Sequence, residues 1–220
     1  MESFINKFYQ NFIEDNRWMF LVEGLKNTLI IAFVAILIGV VLGFLIAIIR
    51  SLHDKFGNSK LLSVLNFICR IYLTIMRGTP VVVQLLIMYY VVFVSPDASK
   101  ILTACITFGL NSAAYVAEIM RSGIMAVNQG QFEAGMSLGL SVHQIMIRII
   151  IPQAFKNVLP ALANEFIVLV KETSISGYVA IVDLTKGGDI IRSTTYSAFM
   201  PLFAVALIYL AVTMVLSALV

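Results

Sequence analysis

The 220-residue chain is short of charge. Asp, Glu, Lys and Arg make up only 12% of it, against 60% hydrophobic residues and a mean hydropathy of +0.96. An ordinary soluble domain carries about 25% charged residues, so the deficit places this chain in a bilayer. At about 20 residues per crossing, several spans fit and a large soluble domain does not. The net charge of +3 is spread along the chain, which argues against a nucleic-acid partner. Cysteine is scarce too. Cys69 and Cys105 sit in apolar surroundings without a CxxC neighbour, so they read as buried, inert thiols and not as a disulfide framework. His53 and His143 are far apart and lack ligand-like neighbours, which excludes a metal site. No G-x-x-x-x-G-K-[ST] stretch is present, so no nucleotide site arises by that route. Neither a nucleophile with its base nor a ligand cluster suggests a membrane enzyme. The first residues, MESFINKFYQNFIEDNRW, lack the basic start and apolar core of a signal peptide. Phe4, Phe8, Tyr9, Phe12 and Trp18 suit the headgroup region, so residues 1–27 read as an extracellular or interfacial segment.

What the chain does have is long apolar runs, and five crossings are expected. The first is Thr28 to Ile49, an uncharged run with Gly39 and Gly43 at the spacing that lets helices approach closely. It ends at Arg50, and SLHDKFGNSK reads as a polar loop. Leu61 to Met76 carries Arg70 and reads as partly interfacial. Val81 to Val94 is too short to span alone, so the second helix is expected to run back through Pro80 with a kink. The third crossing covers about 101–124. Asn111, Tyr115, Glu118 and Ser122 form one stripe on it, and such a stripe faces protein or a water-filled cavity. The fourth covers about 154–170, interrupted by Pro160, Asn164 and Glu165. A polar loop follows from Lys171 to Tyr196, and the last crossing is about 197–220. An odd count puts the termini on opposite sides. Arg50, Lys55 and Lys60, followed by Arg70 and Arg77, make the first loop basic. That density predicts an extracellular N-terminus and a cytoplasmic segment 130–152.

That segment reads GQFEAGMSLGLSVHQIMIRIIIPQA from residue 130. Gln131 to Leu138 is expected to be a short helix with Glu133 in its first turn. Gly139 suits the stop. Ser141 and Gln144 match a capping box that starts a second helix, closed by Pro152. In this second helix Val142, Ile145, Met146 and Ile149 share a face, with His143, Gln144 and Arg148 elsewhere. From local sequence alone, a docking element and a well-capped connecting loop are both open.

The same residues resemble the cytoplasmic motif of ABC transporter permeases, EAA, three residues, G, nine residues, I-x-L-P. Here Glu133-Ala134-Gly135, Gly139 and Ile149-Ile150-Ile151-Pro152 stand at that spacing, with Gly135 in place of alanine and Ile151 in place of leucine. RGTPVVVQLLIMYY, AYVAEIMRSGI, LPALANEFIVLVKETS and IVDLT are similar to stretches of the histidine, arginine, glutamine and glutamate permeases, in order along nearly the whole chain. The resemblance implies an all-α, MetI-like permease fold with five transmembrane helices in a type I importer of the bacterial plasma membrane. It further implies a second permease, identical or paralogous, and a cytoplasmic ABC ATPase dimer docked on Glu133, Ala134, Gly135, Gly139, Ile149 and Pro152. An extracellular or periplasmic binding protein would deliver a polar amino acid. This chain would bind no cofactor, with ATP and Mg2+ held by the partner ATPase. An ion-coupled secondary amino acid transporter is the alternative, although such proteins often show internal repeats and none is visible here.

If the cargo is an amino acid, inward polar residues become candidates for its path or its gate. Glu165, beside Asn164, is costly in lipid by about 2.5–3.5 kcal/mol. It either meets a substrate ammonium or holds helices together. Gln84, Asn111, Tyr115 and Glu118 are the other candidates, each with an equally available role in helix–helix hydrogen bonding.

Overall fold

A computed structural model describes residues 4–56, 59–95 and 98–220, and every element among them is helical. Residues 1–3, Gly57, Asn58, Pro96 and Asp97, with the side chains of Phe56 and of Lys55 counted in the basic first loop, lie outside the described part. The elements are α1 (Phe4–Phe8), α2 (Trp18–Phe56), α3 (Lys60–Gly78), α4 (Val81–Ile87), α5 (Lys100–Met125), α6 (Gln129–Ser137), α7 (Val142–Ile145), α8 (Ile151–Glu172), α9 (Leu184–Thr195) and α10 (Phe199–Ala218). Among the described residues, five stretches are long and apolar enough to cross a membrane: Trp18–Asp54, Lys60–Gly78, Lys100–Met125, Val142–Val179 and Phe199–Ala218.

The count of five agrees with the sequence, but the bounds do not all agree. α2 has 39 residues, so it starts ten residues before Thr28 and runs past Arg50 to Phe56, into the expected loop. At 1.5 Å per residue it is longer than the hydrocarbon core is thick, so polar ends suit it. The second crossing is α3, with Arg70 inside it, and the chain breaks before Pro80. Thr79 is extended (φ −121°, ψ 144°) because a residue preceding proline is driven out of the helical region. The Pro80 carbonyl then accepts from the N–H groups of Val83 and Gln84, and starts α4 as a separate short helix. α8 passes unbroken through Pro160, Asn164 and Glu165. The expected loop 171–196 is a 3-10 segment, Thr173–Val179, followed by α9.

The chain divides into two compact units, one formed by Met1–Ile36, Pro80–Gly109 and Phe166–Val220, the other by Leu37–Thr79 and Leu110–Glu165. In the first unit, Ile31, Ala32 and Ala35 of α2 are buried with Leu85, Phe108, Leu169 and Val170. Asp183 caps α9 there, its Oδ2 accepting from the Thr185 N–H at 2.9 Å. The neighbouring backbone is pinned to α2, since Asn27 donates to the Val182 carbonyl (2.9 Å) and the Leu184 N–H donates to Thr28 Oγ1 (3.2 Å). Asp183 is fully buried, and its Oδ1 has no hydrogen-bond partner among the described residues. Burial therefore pushes its carboxyl up to about 6, against the pull of hydrogen bonds from the backbone of Thr185 and Lys186.

In the second unit α2 and α5 run parallel. Gly39 faces Ser112, Gly43 faces Ala113 and Val116, Arg50 meets Glu118, and Asp54 meets Arg121 at 3.2 Å. α3 runs antiparallel to both, with Asn66 beside His53 and its later residues Leu73 and Met76 against Ile46 and Ala114. Two parallel helices need an odd number of crossings between them, and α3 supplies it.

Two predictions follow from these packings. A Cβ on Gly43 would lie 2.7 Å from Val116 Cγ1, whereas one on Gly78 would meet nothing within 4 Å. Gly43→Leu is expected to lower the unfolding midpoint in detergent sharply, and Gly78→Ala to leave it unchanged. The Asp183 carboxyl holds its proton more tightly in the native state than its ordinary value of 3.8. Its contribution is therefore most favourable below about pH 4, is lost as pH rises to about 6, and is flat beyond. Asp183→Asn keeps a cap acceptor and removes the charge. It is expected to match the parent near pH 3.5 and to exceed it by about 2–3 kcal/mol near pH 7.5, read as the difference between their unfolding curves.

Candidate functional site

The segment between α5 and α8 is a rigid object. Asn128, not anticipated as a cap, accepts from the Gly130 N–H at 2.8 Å and starts α6 two residues earlier than expected. Glu133 consequently lies beyond the first turn. The helix stops as expected. Gly139 takes φ +76°, its N–H donates to the Met136 carbonyl, and the Leu140 N–H donates to the Gly135 carbonyl. Those two bonds are the Schellman pattern. The capping box is complete: the Gln144 N–H donates to Ser141 Oγ (3.3 Å) and the Ser141 N–H donates to Gln144 Oε1 (2.9 Å). Val142, Ile145, Met146 and Ile149 are the covered face, while His143 and Arg148 are exposed.

Pro152 does not end this helix. A single π turn, Met146–Ile150, follows α7 and leads directly into α8, with the Ile151 N–H donating to the Met146 carbonyl. Proline clashes with the carbonyl four residues back, and a widened turn just before it is where a helix accommodates that clash. Gly135 is buried against Ile145, where a Cβ would fall 2.7 Å from Cγ1. The place of glycine in the motif position of alanine thus has a steric cause. Glu133, Ala134, Met136 and Leu138 are exposed, as is Pro152, while Ile149 is half-buried.

The polar stripe of α5 lies in the same unit. Asn111 is buried and donates to the Met76 carbonyl at 3.1 Å. Tyr115 lies under the Arg77 guanidinium, 5.7 Å from its ring centre. Glu118 Oε1 accepts a short hydrogen bond from Arg50 and has Arg77 at 3.8 Å. Ser122 is exposed and bonds back to its own helix. Glu165 is buried and accepts from Ser112 Oγ at 2.8 Å, while Asn164 is exposed. Gln84 belongs to the other unit, buried beside Leu85. The structure therefore brings Asn111, Tyr115 and Glu118 to α3, and ties Glu165 to the third crossing. Sequence reading missed Ser112 and the pairing of Arg50 and Arg77 with Glu118. A serine one residue off the stripe, and charges 68 and 41 positions apart, give no local signal.

Apolar crossings with inward polar groups, joined by an element of short capped helices, define a polytopic membrane protein. The profile of the binding-protein-dependent transport system inner membrane component matches residues 39–220, and the chain belongs to that family. A putative glutamine transport system permease protein of Rickettsia felis is 36% identical, over 99% of this chain and 94% of its own length. The arginine transport system permease protein ArtQ of Bacillus subtilis is 35% identical over 90% of this chain and 88% of its own. The glutamine transport system permease protein of Escherichia coli is 34% identical with the same coverage. Among solved structures, an amino acid ABC transporter with histidines aligns with a TM-score of 0.84 and 38% identity, covering 94% of each chain. The methionine transporter MetNI, at 21% identity and a TM-score of 0.73, shares the fold over 90% of this chain and 91% of its own.

The contact between Ser112 and Glu165 can be tested by two substitutions. Glu165→Gln keeps an acceptor for the hydroxyl and is expected to leave the unfolding midpoint in place while uptake falls by about ten- to a hundred-fold, the worth of a charged hydrogen bond. Glu165→Leu strands the buried hydroxyl and is expected to cost about 1–3 kcal/mol of stability as well.

Proposed function

We propose that this chain is the permease subunit of an ATP-binding-cassette importer that carries a polar amino acid across the bacterial plasma membrane. Two permeases, identical or paralogous, enclose the path. A cytoplasmic ATPase dimer binds ATP and Mg2+ and supplies the energy, and a periplasmic or extracellular binding protein delivers the cargo. The observation that carries this reading is the doubly capped element at 128–152. Its hydrogen bonds are satisfied internally, yet it leaves Ala134, Met136 and Leu138 exposed beside Glu133. A connecting loop needs none of that rigidity, whereas a lever pushed by another subunit does. The glutamine and arginine permeases among its relatives support the cargo class. The basic cluster from Arg50 to Arg77 supports a cytoplasmic α2–α3 connection, and the parallel course of α2 and α5 supports the same side for the α5–α6 connection.

Reconstitution with the ATPase and binding protein tests the reading. Uptake of labelled glutamine or arginine should require ATP on the side of the ATPase and survive collapse of the ion gradients. Uptake that needs an ion gradient and not ATP would favour the secondary transporter. Ala134→Trp puts a large ring where close docking requires a methyl group. It is expected to release the ATPase or to uncouple hydrolysis from uptake, while the unfolding midpoint of the isolated permease is unchanged.

A further inference from the structure

α3 has three faces. Asn66, Cys69 and Leu73 are buried against its neighbours. Val64, Ile68, Ile71 and Ile75 form an exposed apolar face suited to lipid. Ser63, Arg70, Thr74 and Arg77 form a third strip, set about a third of a turn away from the apolar one. Arg70, Thr74 and Arg77 of this strip border a cleft of about 350 Å³, lined on its other side by Arg50 and Glu118. Arg50 is committed to Glu118 Oε1, and Arg77 shares the same oxygen at 3.8 Å while lying over Tyr115. Arg70 makes no ion pair with any described residue. Three arginines and one glutamate thus line the cleft, which carries an excess of positive charge.

We propose that this cleft is an oxyanion site that holds the α-carboxylate of the amino acid in transit. The proposal rests on the import of amino acids and names the part of the cargo recognised here. Guanidinium groups bind carboxylates in a fork of two parallel hydrogen bonds, and Arg70 and Arg77 have donors to spare. A carboxylate is also the one group that every amino acid brings, so a site for it serves the class and leaves side-chain selection to other residues. A lipid phosphodiester is the less suitable occupant, because its acyl chains belong against Val64, Ile68, Ile71 and Ile75, from which the arginines are turned away.

Thr74 reports on the cleft. Thr74→Cys, in a Cys69→Ala, Cys105→Ala background, is assembled with its partner subunits in phosphatidylcholine nanodiscs and labelled with anionic and cationic methanethiosulfonates. The anionic reagent is expected to react faster by about ten-fold or more, since a cleft of one charge sign concentrates counter-ions. Adding Arg70→Gln and Arg77→Gln should erase the preference. L-Glutamine or L-arginine should slow the anionic reagent, whereas 4-aminobutanamide or agmatine, which lack the carboxylate, should not. Equal rates for the two reagents, a preference that survives both Gln substitutions, or equal protection by the amines would each overturn the proposal. Protection by phosphatidylglycerol in the nanodiscs, with none by amino acids, would overturn it in favour of a lipid headgroup. ATP-driven uptake by the parent complex separates the two readings. Uptake without anion preference sinks the cleft alone, and preference with amino acid protection but no uptake sinks the import reading alone.

Discussion

Where Gly39 and Gly43 of α2 meet Ser112, Ala113 and Val116 of α5, two helices come closer than side chains would allow. Most of the second unit hangs on that contact. A Cβ on Gly39 would lie 2.9 Å from Ser112 Oγ, so the glycine leaves room for a hydroxyl that is already bonded to Glu165 of α8. The same parallel register carries Arg50 to Glu118 and Asp54 to Arg121 further along. Helices in lipid gain little from apolar burial against one another, so close packing and interhelical polar bonds must hold them. Here the packing positions the polar bonds.

The element between α5 and α8 follows a different economy. It is short, and isolated helices of nine and four residues do not persist in water. Their termini are therefore closed one by one: an Asn128 cap, a Schellman stop at Gly139 and a reciprocal box at Ser141. What remains is to keep α6 from rolling on α7, and the contact of Gly135 with Ile145 does that. A larger residue at 135 would need a smaller one at 145. The departure from the family motif is thus one half of a matched pair, and its other half stands ten residues away.

Local chemistry was legible in the sequence and distant partners were not. The capping box and the glycine stop depend on residues within five positions of each other, and both are present as read. The count of crossings came from runs of apolar residues, which need no partner to be recognised. The mistaken boundaries have a common cause. Pro80 was read as a kink, Pro152 as a stop and Pro160 as an interruption, yet Pro80 caps the start of a separate helix, Pro152 follows a π turn, and Pro160 is absorbed within α8. Proline states only that one N–H is missing; the surroundings decide whether the helix survives. The loop expected over 171–196 failed for a different reason. Its polar residues include a helix, and Gly187 and Gly24 are small because α9 and the chain before it lie directly against the α2 backbone.

Three carboxylates show how much the partner decides. Glu118 is held by guanidinium groups. Asp183 is held by backbone N–H groups at a helix start, where one of its oxygens serves as a cap. Glu165 has a neutral hydroxyl and no ion pair among the described residues. A buried carboxylate with a cation beside it has little to gain from a second one. A carboxylate met only by a hydroxyl has most to gain from an ammonium or guanidinium passing within reach, because its charge is unpaired and it accepts from one neutral donor. The cleft on α3 is the converse case, with guanidinium capacity in excess of carboxylate. A zwitterion is the kind of molecule that answers both, and the second unit carries both on helices held together through Ser112 and Glu118 of α5.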